Sequence, residues 1–402
     1  MKVALLSRGA HPLHDPGGME RAVYLLAKHL RRRGADTVLV TRPATRDGVF
    51  PGRVVTVPYG DAGRGHGRVL SRTVHYPAFA RRVGEAVAEM VRAGEVDVVD
   101  AQGLTALGYG RLRRRDPSLH APLVMNPQGL EEHKTGGLKR VALARLRALS
   151  REAARLADRV VATDEATRAD VPRYLGVDAA RVIVLPNGVD TDEIEAATPR
   201  EPRAAAEAAL PALLGADPVF LSVGRIEAYK GLDDTAAALA ALHAEGRLGR
   251  AWAWVVAGEG PDAARLRRAL PPALRAHAHL AGRVDEGLLH ALYERADVFV
   301  HATRYEGSSL VTLEAMAHGR AVVATRAGGI PDKVAHGISG LLVAPGDRDA
   351  LATALGELGA DRERRDAMGA AGRGRVRAEF AWTVLVDRTL AVYDELLREA
   401  RR

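Results

Sequence analysis

The feature that most constrains this chain is a repeated pattern: a short run of continuous apolar, largely β-branched residues, a glycine-bearing turn, then an amphipathic helical stretch. In the first half the runs are Val3–Ser7, Thr37–Thr41, Arg53–Val57, Val96–Ala101, Leu123–Asn126, Arg159–Ala162 and Val182–Leu185, with helical stretches such as Met19–Arg33 and Leu138–Ala157 between them. A strand that is apolar at successive rather than alternate positions is covered on both faces, and βαβ units that cover both faces build a parallel sheet. The series stops at Leu185-Pro186-Asn187-Gly188-Val189-Asp190, where Pro-Asn-Gly reads as a turn. An Ala/Glu/Pro-rich stretch with little periodicity, Glu193–Pro211, follows. A second series then opens: Val219–Val223, Ala253–Ala257, His279–Ala281, Val298–His301, Ala321–Thr325 and Leu341–Val343. Trp382–Arg401 reads as a long terminal helix.

At 402 residues the chain exceeds one ordinary core. The predicted class is α/β: two Rossmann-like, doubly wound parallel-sheet domains facing across a cleft. The expected bounds are 1–188 and 189–380, with a terminal helix over 381–402 as a candidate to cross back to the N-terminal domain. Folds of this kind bind ligands outside the carboxyl ends of their strands.

Composition narrows the classes. Hydrophobic residues at 47% and charged residues at 27% describe a folded globular chain. The absence of cysteine excludes disulfides and thiolate metal sites. The opening apolar run, Met1–Ser7, is too short for a signal peptide or a membrane span, and a cytoplasmic home is expected. Residues 1–190 hold 31 Lys/Arg against 20 Asp/Glu, or +11; the remainder holds 27 against 30, or −3. Such a basic half suits an anionic lipid surface or a phosphorylated acceptor, although arginine-rich solvated helix faces produce the same excess. Nucleic acid is not expected as a partner, because the 4% of aromatic residues offers few stacking platforms. Over Leu138–Ala157, Arg140, Arg147, Arg151 and Arg155 accompany Leu143, Leu146 and Leu149. That mixture fits either an interfacial helix at the inner face of a membrane or a core-facing helix with a solvated arginine face.

The most informative segment runs from Arg304 to Ala317, after the strand Val298–His301. A helix opening near Ser308 or Ser309 presents free amides and the positive end of its dipole, a place for phosphate oxygens. Gly307 allows close backbone approach, and the serine hydroxyls can cap or bond. Glu314 has mostly apolar helical neighbours, so its carboxylate needs hydrogen-bond donors, from a ribose diol or from His318 or an arginine. Glu306 precedes the helix. In Ser222–Gly231, Arg225 and Lys230 leave the carboxyl end of a strand, where two cations can neutralise a diphosphate.

These residues resemble glycosyltransferase family 4, retaining enzymes of the GT-B fold marked by two glutamates separated by seven residues, here Glu306 and Glu314. Also similar are Gly17-Gly18-Met19-Glu20, Pro186-Asn187-Gly188-Val189-Asp190, Gly224-Arg225 with Lys230-Gly231, Ala257-Gly258-Glu259-Gly260-Pro261, Gly282-Arg283-Val284 and Thr325-Arg326-Ala327-Gly328-Gly329. The resemblance implies a nucleoside-diphosphate sugar as donor, a hydroxyl acceptor (lipid, saccharide or small molecule), and no cofactor or metal. It implies that Glu306 contacts the transferred sugar, that the amides of Gly307, Ser308, Ser309 and Leu310 hold phosphate, and that Glu314 binds ribose. Arg225 and Lys230 are then the diphosphate partners, the backbone of Arg283 and Val284 holds the base, and Gly17 and Gly18 lie against the phosphates. Where members carry a histidine after the fifth strand this chain has Gln128, which can orient a hydroxyl but cannot titrate; His133 lies five residues on. The leaving phosphate is thought to accept the proton in such enzymes, so no protein nucleophile is required. A non-catalytic nucleotide-sugar-binding protein of the same fold is the alternative. Gly258–Ala263 also fits the loose dinucleotide fingerprint of an oxidoreductase, but Glu259 and Asp262 crowd that loop with negative charge. The carboxylate pairs Asp97/Asp100, Asp190/Asp192 and Asp347/Asp349, and also His11 and His14, read as capping and loop groups rather than metal ligands.

Overall fold

The computed structural model describes residues 1–15, 17–60, 67–128, 130, 133 and 137–402; the side chains of 67–72 and 138–140 are outside that description. The described residues form two parallel sheets. The first contains β1 (Lys2–Leu6), β2 (Asp36–Thr41), β3 (Arg53–Thr56), β4 (Val98–Gln102), β5 (Leu123–Asn126), β6 (Arg159–Ala162) and β7 (Val182–Val184), in the order β3-β2-β1-β4-β5-β6-β7. The second contains β8 (Val219–Val223), β9 (Ala253–Ala257), β10 (Ala278–Gly282), β11 (Val298–His301), β12 (Ala321–Thr325) and β13 (Gly340–Val343), in the order β10-β9-β8-β11-β12-β13. β4 and β9 are buried at every residue, as strands covered by helices on both faces must be. The strand order reverses between β1 and β4 and again between β8 and β11. Loops leaving the carboxyl ends of such a strand pair diverge to opposite faces and leave a crevice.

The chain divides into two compact units, Met1–Asn187 with Trp382–Arg402, and Gly188–Ala381. The terminal helix, Trp382–Ala400, therefore packs in the first unit. Its Trp382, Leu385, Val386, Tyr393 and Leu396 share a core with Val3, Leu5, Val98 and Val124 of the sheet and with Val23 and Leu26 of the first helix, Gly18–Arg32.

Two helical expectations are corrected. Leu138–Ala157 is two helices, Gly137–Ala142 and Ala144–Leu156, broken where Leu143 leaves the helical well at φ −95° and ψ 3°. Leu146 is buried, with Leu143 and Leu149 packed against the first unit's core, and Arg151 Nε donates to the Tyr174 carbonyl at 2.8 Å. These leucines thus serve the unit's own core; the side chain of Arg140 is outside the description. Glu193–Pro211, read as having little periodicity, holds most of the helix Thr191–Ala197 and all of the helix Pro202–Ala209. Asp190 caps the first, accepting from the amides of Asp192 and Glu193 at 3.1 and 3.2 Å, and Pro202 starts the second. Alanine-rich faces gave the pattern little contrast. Among the described residues no helix is long and apolar enough to cross a membrane.

Candidate active site

In the second unit the loops after β8, β9 and β10 are seated on one another through their backbones. Gly224 N donates to Ala257 O at 3.0 Å, Ile226 N to Glu259 O at 2.9 Å, and Gly258 N to Gly282 O at 2.8 Å. A Cβ at Gly258, where φ is +146°, would lie 1.9 Å from the Gly224 carbonyl oxygen, and one at Gly260 would lie 2.2 Å from that of Ile226. Asp262 Oδ2 accepts from Ala228 N at 2.7 Å. The glycines of Gly258–Ala263 therefore serve close loop-on-loop contact.

The β8 loop then docks on the loop after β11, across the switch point. Arg304 N donates to the Tyr229 carbonyl at 2.7 Å, and a Cβ on Gly231 (φ +68°) would meet the Ala302 carbonyl oxygen at 1.9 Å. This close approach brings Lys230 to Glu306, with Nζ 2.8 Å from Oε2. His301, the last residue of β11 and buried, places Nε2 2.7 Å from the same oxygen. Burial alone would push the Glu306 carboxyl up; His301 and Lys230 outweigh it and hold it down at about 2. Both partners use Oε2, and Oε1 has no hydrogen-bond partner among the described residues.

Below Glu306 the loop after β12 acts as a floor. A Cβ on Gly328 (φ +52°) would lie 1.9 Å from the Glu306 carbonyl oxygen, and Gly329 N donates to Gly307 O at 3.2 Å. A Cβ on Gly307 would meet nothing within 4 Å, so the outer side of that residue is open. The helix Leu310–Ala317 follows, with Ser309 at the N-cap. Of the two roles open to the serine hydroxyls, capping or bonding, Ser309 takes the second: its Oγ pairs with Thr312 Oγ1 at 2.8 Å, and it makes no side-chain cap to the first-turn amides, which have no side-chain acceptor among the described residues. Those amides and the dipole end are left available to an anion. Lys333, buried, donates from Nζ to Ser308 Oγ at 2.8 Å and to the Ser309 carbonyl at 3.2 Å. Glu314, half-buried on the same helix, accepts from the hydroxyl of the buried Tyr293 at 3.0 Å. His318 bonds to Glu294 and His290 instead, at 2.7 and 2.9 Å.

The structure thus joins Lys230, Glu306, Gly307, Ser308, Ser309, Leu310 and Glu314 on one edge of the second sheet. Arg225 is not brought to this cluster. Its guanidinium is 71% exposed and pairs at 2.5 Å with Glu227, two residues along its own loop. Arg283, exposed, and Val284, half-buried, leave β10 beside the Gly258 loop. His301, Lys333 and Tyr293 were missed; a lone polar residue ending the apolar run Val298-Phe299-Val300 was a readable hint for His301.

In the first unit, Gly17 and Gly18 start the first helix, where Gly17 supplies no side-chain cap. Gln128 follows β5 and donates from Nε2 to Gln102 Oε1 at 2.7 Å. His133 stands apart from that bond: it packs against Tyr174 at 5.9 Å between ring centroids, and burial with Arg151 and Arg147 pushes its pKa down to about 4.

Two doubly wound units, one with a paired carboxylate at its switch point and an uncapped helix start beyond it, define a protein of the GT-B class. Residues 16–193 match the model described as Glycosyltransferase Family 4, and residues 217–361 match Glycosyl transferases group 1. D-inositol 3-phosphate glycosyltransferase of Xylanimonas cellulosilytica is 32% identical over 98% of this chain and 96% of its own length. The chain belongs to glycosyltransferase family 4. Alpha-maltose-1-phosphate synthase of Mycolicibacterium smegmatis is 34% identical over 61% of this chain, and the match spans 65% of that protein. A GDP-mannose-dependent phosphatidylinositol monomannoside mannosyltransferase of Mycobacterium tuberculosis is 36% identical over 52% of this chain and 54% of its own. Among solved structures, sucrose-phosphate synthase from Thermosynechococcus elongatus aligns over 99% of both chains with a TM-score of 0.75 at 23% identity. Anabaena HepE in complex with UDP aligns over 98% of this chain and 100% of its own, with a TM-score of 0.75 at 19% identity. These last two are likenesses of fold.

Proposed function

We propose that the chain is a retaining glycosyltransferase that moves a sugar from a nucleoside-diphosphate sugar to a hydroxyl acceptor by a front-face, leaving-group-assisted mechanism. The observation that carries this reading is the Lys230–Glu306–His301 cluster at the β8/β11 switch point, next to the uncapped start of Leu310–Ala317. Glu306, kept ionised, offers Oε1 to hydroxyls of the transferred sugar. Amides from Gly307 to Leu310 take phosphate oxygens, and Lys230 turns from Glu306 to the diphosphate as negative charge builds on the leaving group. Preorganised donors of this type are worth roughly 3–4 kcal/mol each in a transition state. Glu314 takes a ribose hydroxyl beside its bond from Tyr293. Arg225, released from Glu227, serves as an outer diphosphate partner, and the backbone of Arg283 and Val284 holds the base.

The leaving phosphate takes the acceptor proton, so the reading requires no metal and no protein base. In the first unit Gln128 orients a substrate hydroxyl, and the amides of Gly17 and Gly18 take an anionic group. The basic first half fits an acceptor carrying phosphate, free or at an anionic membrane surface, and the full-length D-inositol 3-phosphate relative supports that class of acceptor. A panel of UDP-, GDP-, ADP- and dTDP-sugars scored by hydrolysis and thermal shift tests the reading. One donor should be hydrolysed with retained anomeric configuration and raise the melting temperature. Tight nucleotide binding without release of sugar under any acceptor would favour a non-catalytic binding protein.

A further inference from the structure

The carboxyl edge of the first sheet carries a chain of polar groups that the roles above leave unexplained. Asp100 and Gln102, two residues apart on β4, are both buried. Gln102 Nε2 donates to Asp100 Oδ1 at 2.8 Å, and Gln128 Nε2 donates to Gln102 Oε1 at 2.7 Å. From the terminal helix, the Tyr393 hydroxyl donates to Asp100 Oδ2 at 2.6 Å. Gln128 N donates to Asn126 Oδ1 at 2.9 Å, and Gln128 sits at φ +62°, the one positive φ outside glycine among the described residues. A left-handed backbone at such a residue costs on the order of 1 kcal/mol and persists where its surroundings fix it.

The chain has a direction. A carboxylate only accepts, whereas a primary amide has one accepting and one donating end. An ionised Asp100 therefore turns the Gln102 amino group toward itself and leaves the Gln102 oxygen facing Gln128. Gln128 must answer with its own amino group, so its Oε1 becomes the outward end, with no partner among the described residues. Gln128 lines a cavity of about 40 Å³ together with Asp100, Gln102, Asn126, Asn187 and Trp382, room for a water or a hydroxyl.

We propose that Asp100 is a positioning residue that acts through Gln102 to hold Gln128 with its carbonyl oxygen outward, as the acceptor for a substrate hydroxyl. This rests on the transferase reading of Gln128 given above. A protonated Asp100 reverses the chain: its O–H donates to the Gln102 oxygen, both amides turn over, and Gln128 presents an amino group. Burial pushes the Asp100 carboxyl up to about 6, against the bonds from Tyr393 and Gln102 that lower it. Around Asp100 the neighbouring strands contribute Leu5, Val124 and Asn126, the first helix Ala22, Val23 and Leu26, and the terminal helix Leu385, Thr389 and Tyr393. Tyr393 is the titratable group bonded to it; His29 of the first helix stacks on Trp382 at 6.3 Å.

The test is the acceptor kcat/KM between pH 4.5 and 9, measured on the full chain with the donor that the panel identifies. Wild type should lose activity as pH falls through about 6. Tyr393→Phe, which removes a bond that stabilises the carboxylate, should move that limb to higher pH. Asp100→Asn, whose amide can donate to Gln102, should lower kcat/KM at least tenfold at pH 7.5 and show no limb near 6. A merely structural role would not move the limb. An active wild type whose Asp100→Asn and Tyr393→Phe variants keep its rate and pH profile overturns the proposal. If Asp100→Asn does not fold, the limb of Tyr393→Phe decides alone. A wild type that transfers sugar from no donor sinks the transferase reading and this inference with it.

Discussion

Glu306 in the second unit and Asp100 in the first are both withdrawn from water, yet burial leaves them in opposite states. The Glu306 carboxyl lies near 2 because His301 and Lys230 at one of its oxygens outweigh burial, whereas burial raises that of Asp100 to about 6 against the smaller, lowering bonds from the neutral Tyr393 and Gln102. Desolvation has the same sign at both sites; the charge of the neighbours decides the outcome. One carboxylate is fixed as an anion across the working pH range, and the other is set close to the edge of it.

The strongest way to break this contrast is stability measured against pH. The Glu306 pKa is lower in the folded chain than its ordinary 4.5, so its stabilisation is fully present above that pH and lost as pH falls through about 2. Glu306→Gln should therefore cost about 3 kcal/mol at pH 7, and the difference from wild type should shrink toward zero near pH 2. The Asp100 pKa is higher in the folded chain than its ordinary 3.8, so its cost is absent below that pH and complete above about 6. Asp100→Asn should stabilise the chain at pH 7, by up to about 3 kcal/mol, and leave it unchanged near pH 3.5. Denaturant midpoints across pH would check both; shifts of the same sign would end the comparison.

Next in size is Lys230→Ala, expected to lower turnover at least tenfold, about 1.4 kcal/mol, because Lys230 is the cation paired with Glu306, in the loop that leads into the helix. A near-normal initial rate would remove Lys230 from the mechanism. Lys333→Met takes away the ammonium that holds Ser308 Oγ and the Ser309 carbonyl. It should raise donor KM roughly fivefold, about 1 kcal/mol, with a smaller change in kcat, a split that steady-state kinetics would read. The smallest effect is reserved for Arg225→Ala. An exposed guanidinium already paired with Glu227 is worth little, and a change of about twofold is expected. A hundredfold loss there would mean that Arg225 swings onto the diphosphate and belongs with Lys230.

Much of the fold was legible because continuous apolar runs bounded by polar turns leave little choice of register. Leu123–Asn126, Arg159–Ala162, Val219–Val223, Ala253–Ala257, Val298–His301 and Ala321–Thr325 have the same bounds in sequence and structure. The break at Leu143 carries no glycine or proline, so nothing local announced it. In the site, the Glu306 loop and the helix after it were readable from their place behind an apolar strand. Their partners were not, because partnership is a property of the fold. Lys333 lies 24 residues beyond Ser309 in sequence, yet it is buried against the serine loop. Arg225 shows the converse: it sits in the anticipated loop, but Glu227 competes for it at a distance that sequence spacing alone does not reveal.

The terminal helix has a consequence for how the molecule is made. Tyr393, Trp382 and Leu385 complete the hydrophobic layer that contains Val3 and Leu5, so residues from the two ends of the chain meet in one core. A ribosome delivers the second unit, Gly188–Ala381, whole before the first can close. Until residue 393 emerges, Asp100 lacks the phenol that holds it, and the first unit's core lacks Trp382 and Leu385.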